Sequence, residues 1–166
     1  MIVEDARFCL QEIVGKKLLY IDRCCELVNI GFGDLIEREN RNNEIYFVGS
    51  SVFHVLSPFR IMQNNSIILG SSDLYISNSQ NNLNVDLGKT DSCRLDSILN
   101  KQKNFLKNEY VESININEFG DLVIDLQNLT ISIFNTNSND DEAWRFFHPN
   151  TEKQHLVVYG DSIKFI

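Results

Sequence analysis

Between residues 110 and 134, in YVESININEFGDLVIDLQNLTISIF, apolar and polar side chains alternate almost without a break. Ile114 and Ile116 fall on one side. Leu122, Ile124 and Leu126 follow after NEFG, and Leu129, Ile131 and Ile133 follow after QN. A period of two belongs to half-buried strands, so three strands are predicted, with Asn115, Asp125, Thr130 and Ser132 directed outward. Asn117 and Gly120 suit a tight hairpin turn. HLVVYG and SIKFI read as two more strands. The first half repeats this order less cleanly. KLLYID is a strand, RCCE a turn, and LVNIGF a strand with Val28, Ile30 and Phe32 on one face; SVFHVLS and a segment ending in SIILGSSDLYI come later. Residues 33 to 50, GDLIERENRNNEIYFVGS, interrupt the pattern and read as a solvated loop or a hairpin extension.

Helical spacing occurs twice. Residues 3 to 14 place Ala6, Leu10, Ile13 and Val14 on one stripe, and Gly15 is suited to end the helix. Residues 92 to 108 align Leu95, Ile98, Leu99, Gln102, Phe105 and Leu106, with Asp91 or Ser92 as the N-cap. The expected fold class is α+β, predominantly antiparallel, in a single domain over residues 1–166. Its possible halves, 1–76 and 85–166, are joined by the polar linker 77–84.

One pattern suggests that the halves are related. Phe59-Arg60-Ile61 matches Trp144-Arg145-Phe146, Ile67-Ile68-Leu69-Gly70 matches Val157-Val158-Tyr159-Gly160, and Asp73 stands for Asp161. An internal pseudo-repeat is therefore expected, as two β-rich modules that bury their apolar faces against each other; chance likeness between two β-rich halves is the rival. Arg60 and Arg145 are expected at strand ends, paired with a carboxylate or stacked on an aromatic ring. The Gly-Asp pairs should make the turn after each apolar strand.

Composition narrows the function classes. The 166 residues, 43% of them hydrophobic, have a mean hydropathy of -0.19, which is the balance of a globular protein. No apolar run approaches the roughly 18 residues of a membrane span. Glu4 and Asp5 stand where an export signal carries lysines, so a cytoplasmic protein is expected. Cys9, Cys24, Cys25 and Cys93 form neither a disulfide framework nor a metal knuckle and read as free thiols. The net charge of -8 disfavours nucleic acid and permits attraction to a basic protein.

Candidate chemistry is sparse. His54, His148 and His155 have no metal-ligand spacing. The glycines form neither a phosphate loop nor a hydrolase elbow. The loop NTNSNDDE, 135 to 142, has oxygen donors but lacks the central glycine of a calcium loop. No catalytic residue, metal or cofactor is expected. Two acidic segments with nearby aromatics fit recognition of a basic protein: the insertion, with Asp34, Glu37, Glu39, Glu44 and Tyr46, and the stretch with Asp140, Asp141, Glu142 and Trp144. Trp144 and Phe146 also read as core. The alternative is a small-molecule or metal-binding domain, conceivably a weak enzyme, with a pocket between the modules.

The combination FRIM…SIILGSSDLY, DDEAWRFF and HLVVYGDSIKF resembles small bacterial proteins found beside polymorphic toxins, of the immunity type. That resemblance implies a cytoplasmic, non-enzymatic protein that binds one toxin domain and occludes its active site. It assigns no functional residue, because partner surfaces differ between such proteins.

Overall fold

The alternating segments become strands in a computed structural model, which describes residues 2–79, 84–101 and 106–166. Helix α1 (Ile2–Leu10) runs into a tighter one-turn segment, Gln11–Ile13. Strands β1 (Leu18–Cys24), β2 (Leu27–Glu39), β3 (Ile45–Val55), β4 (Phe59–Gln63) and β5 (Ser66–Gly70) follow. A short 3-10 turn (Ser71–Tyr75) and helix α2 (Arg94–Lys101) precede β6 (Val111–Ile116), β7 (Leu122–Leu126), β8 (Thr130–Ile133), β9 (Glu142–Phe147), β10 (Leu156–Tyr159) and β11 (Ile163–Phe165). The fold is α+β with antiparallel pairing throughout, as its alternation implies.

The strands form a six-stranded sheet, β1-β2-β3-β9-β10-β11, and a five-stranded sheet, β5-β4-β8-β7-β6. Here the expected pair of modules needs correction, because the halves do not build one sheet each. The meander β1–β3 of the first half takes its neighbours from β9–β11 of the second, and the meander β6–β8 takes β4 and β5 from the first. Each half gives strands to both sheets, and this arrangement does not establish the internal repeat. The long-range pairs β3–β9 and β4–β8 stitch the halves into one unit.

Between the sheets lies a single apolar cluster. The rings of Phe32 and Phe53 meet edge to face with centroids 5.9 Å apart, and Phe53 lies 4.7 Å from Phe146 and 6.0 Å from Trp144. Ile61, Leu69, Leu122, Ile124, Ile131 and Ile133 fill the opposite side. Burying a side chain of this size contributes about 1.5–3 kcal/mol. These side chains fill the space between the sheets. Trp144 also donates Nε1–H to the Gly120 carbonyl at 2.8 Å. Gly120 has φ +85 and sits so close to Val158 that an added Cβ would lie 2.4 Å from its Cγ1, which explains glycine at this turn.

Both helices depart from their expected bounds. The last turn of the 3–14 segment tightens and releases the chain at Gly15, φ +81, so Val14 leaves the buried stripe of Ala6, Leu10 and Ile13. For α2, neither Asp91 nor Ser92 is the cap: the Asp96 carboxylate turns back to accept the Ser92 and Cys93 amides at 3.1 and 3.4 Å. The expected stripe positions Gln102 and Phe105, and linker residues 80 to 83, lie outside the described residues. Arg60 lies over the Phe134 ring at 5.1 Å, and Arg145, in mid-strand and not at a strand end, pairs with Glu142 at 2.6 Å. The Gly70 amide is capped by Asp73 at 2.9 Å, which starts the turn after β5.

Candidate functional site

The segment 33 to 50 is a hairpin extension. Strand β2 pairs with β1 only as far as Phe32, and β3 pairs with β9 only as far as Val52. Beyond those points β2 and β3 continue together, Leu35 opposite Gly49 through Glu39 opposite Ile45, as a two-stranded arm. A bulge between Phe32 and Leu35 marks where the arm leaves the sandwich. Gly33 supplies it with φ +88, and any Cβ there would lie 2.2 Å from Ser50 Oγ. At the tip, Asn40 Oδ1 accepts the amides of Asn42 and Glu44 at 2.8 and 3.0 Å, and Asn43 takes φ +60.

Strand alternation divides the arm into two faces. Leu35, Glu37, Glu39, Ile45 and Phe47 continue the core face of the large sheet past the end of the small one. Leu35, Ile45 and Phe47 are consequently 59%, 62% and 57% exposed. On the other face Arg38, Tyr46 and Val48 join Tyr20, Val52, His54 and Phe147 around a groove of about 480 Å³. There, burial and then the Arg145 charge push the His54 imidazole below its ordinary pKa.

The predicted contact residues do not form one surface. Glu37, Glu39, Glu44 and Tyr46 all lie on the arm. Asp140, Asp141 and Glu142 lie at the far end of β9, because Trp144 pairs with Val55 while Phe147 pairs with Val52 nearest the arm. Trp144 is wholly buried and is no surface anchor: its ring fills the core and its only polar hydrogen is spent on Gly120. Glu142 is held by Arg145, and the Asp141 carboxylate by Asn139 Nδ2 at 2.6 Å.

Sequence reading missed two features. The first is a polar cluster at the base of the arm. His148 Nδ1 stands 3.0 Å from the Ser50 carbonyl and 3.3 Å from Ser51 Oγ, and Lys16 Nζ donates to Ser51 Oγ at 2.8 Å. His148 Nε2 faces a Glu12 oxygen at 3.0 Å, an ion-pair distance without hydrogen-bond alignment. The set invites comparison with a serine, histidine and carboxylate triad. A carbonyl only accepts, so Nδ1 carries its hydrogen toward Ser50 and is no base for Ser51. Ser51 is also fully buried, so no substrate reaches it. Burial favours a raised Glu12 pKa, but the Lys153 hydrogen bond and the nearby cations outweigh it and hold the group below its ordinary value. The cluster ties the segment after α1 to β3 and to the chain after β9.

The second feature is a cleft of about 770 Å³ along β1 and α2, bordered by Arg23. Arg23 has no free donor for a ligand. It binds both Asp96 oxygens, at 2.7 and 2.6 Å, the carbonyls of Cys25, Leu87 and Lys89, and Ser92 Oγ. Among the described residues no three His, Cys, Asp or Glu side chains gather as a metal site. No helix among them is long and apolar enough to cross a membrane.

The exposed apolar residues of the arm did have a signal: in EIYFVG, apolar side chains occupy both parities of a strand, a pattern that either buries both faces or leaves one uncovered. No family model, curated protein or solved structure matches this chain.

Proposed function

We propose that this chain is a non-enzymatic protein-binding module that docks its partner through the β2–β3 arm. The observation that carries the reading is the uncovered strip Leu35, Ile45 and Phe47 on a two-stranded arm, next to Glu37 and Glu39. Large apolar side chains are the usual anchors of interfaces, and a surrounding charge steers encounter. The carboxylates and the net charge of -8 favour a basic partner. With the resemblance to immunity proteins, the specific proposal is neutralisation of a cognate bacterial toxin domain by occlusion.

The test is growth rescue. The domain encoded beside this gene is expressed in a sensitive host, with and without this chain. Rescue by the wild type and loss of rescue by the doubly substituted Ile45→Ser, Phe47→Ser protein, at equal soluble level, are the expected results. A non-toxic neighbour, or full rescue by the arm variant, would remove the proposal.

A further inference from the structure

We propose that the partner is held by strand addition: an extended cationic segment pairs with the open edge of β3 along Tyr46–Ser50. This inference rests on the docking reading above and names how the arm would be used. It begins from where β9 stops. Pairing ends at Val52 with Phe147, and the chain then passes through His148 to Pro149, which has no amide hydrogen to donate. From there to the tip, β3 has β2 on one side and, among the described residues, no strand on the other.

The direction of the backbone groups follows from two contacts. The Ser50 carbonyl is met by His148 from the side of β9, whereas the Gly49 amide donates to the Tyr20 hydroxyl at 3.2 Å, on the β2 side. Alternate residues of a strand address the same edge. Tyr46 and Val48 thus present both amide and carbonyl outward, and Ser50 its amide.

Proteins ordinarily blunt such edges with charges, proline or a covering element. Ile45, Tyr46, Phe47, Val48, Gly49 and Ser50 include none of these, since the charges of the arm sit on β2 and in the turn. At β6 the same hazard is met by α1 and the turn that follows it, whose Arg7 and Gln11 side chains bind the edge carbonyls of Ile116 and Ile114 at 3.1 and 3.2 Å. An edge left unprotected in a chain that protects another is a place to add a strand.

Charge selects the strand. Glu37 and Glu39 lie opposite Phe47 and Ile45 on the uncovered face, and Arg38 belongs to the other face with Tyr46. A strand added to β3 would run about 9–10 Å from β2, within reach of lysine or arginine. It would carry cations on the Ile45 and Phe47 side and uncharged residues on the Tyr46 side. A second copy of this chain fits less well, because it would bring a second set of Glu37 and Glu39 carboxylates to the same place.

The experiment titrates the full-length protein with an alternating lysine–valine decapeptide and follows backbone amides by NMR and hydrogen exchange. The expected result is saturable binding that slows exchange at Tyr46, Val48 and Ser50. Replacing the peptide's lysines by glutamate, or N-methylating the amides of its pairing edge, should each weaken binding by at least about tenfold. Protection elsewhere, equal binding of the methylated or the glutamate peptide, or no binding of the lysine peptide overturns strand addition. If the arm variant has lost growth rescue while methylation costs nothing, docking on the arm survives and strand addition alone is wrong.

Discussion

Strand β6 and the outer half of β3 both run along the border of a sheet, and the chain treats them in opposite ways. On β6, α1 and the turn after it lie close enough for Arg7 and Gln11 to satisfy edge carbonyls. Along the outer half of β3 no described residue pairs with the edge or covers the apolar face, and Ile45 and Phe47 remain in solvent. The difference separates two uses of the same secondary structure. Pairing and coverage hold the sandwich together, whereas the arm keeps its pairing capacity and its apolar area unspent, as a binding surface must.

Substitutions should sort along that line. Trp144→Ala, at the centre of the covered region, should destabilise the protein by about 3–5 kcal/mol through the cavity and the bond lost to Gly120. Chemical denaturation measures it. Arg23→Ala leaves Asp96 buried without its cation and should cost about 3 kcal/mol, with faster amide exchange over residues 84 to 93. Uncovering β6 by Arg7→Ala with Gln11→Ala should cost about 1–2 kcal/mol and give the sandwich a second open edge, visible as faster exchange at the β6 margin and increased self-association. Ile45→Ser with Phe47→Ser should leave stability within about 0.5 kcal/mol of wild type. A loss comparable to that of Trp144→Ala would mean that the arm is part of the core after all.

Acid provides a finer test. Burial favours a raised Asp96 pKa, but hydrogen bonds from Arg23 and Cys93 dominate and hold it below the ordinary 3.8. A depressed carboxyl contributes stability that is fully present above its unfolded value and lost as pH falls through the folded one. The stability difference between wild type and Asp96→Asn should therefore be constant from neutral pH to about pH 5 and shrink below pH 4. A constant difference down to pH 2 would detach Asp96 from the acid response.

Much of the covered region was legible in the sequence, for a physical reason. A half-buried strand has a solvent side and a core side, so Ile114, Ile116, Leu122, Ile124, Ile131 and Ile133 announce both the strands and their inward face. Residues 33 to 50 broke that alternation and read, from their charged stretch, as a solvated loop or a hairpin extension; the structure makes them the extension, which carries Glu37, Glu39, Glu44 and Tyr46. Of the two readings of Trp144, contact residue and core, the structure bears out the second: it follows an acidic loop yet is wholly buried. Leu35, Ile45 and Phe47 were passed over because their segment was read for its charges, and where the large sheet outruns the small one is not written in any local pattern.

Local sequence by itself determined what each segment is: alternation set the strands, Gly33, Asn43 and Gly120 set the bulge and turns, and the stripe of Ala6, Leu10 and Ile13 set the first helix. Which sheet a strand joins was decided only by tertiary structure. The pairings of β3 with β9 and of β4 with β8 are long-range choices among similar apolar faces, and nothing local distinguishes one strand's face from another's. The same assembly decided where coverage ends. The small sheet stops short of the arm, and that mismatch of extents, which belongs to no single segment, turns ordinary core residues into an exposed surface.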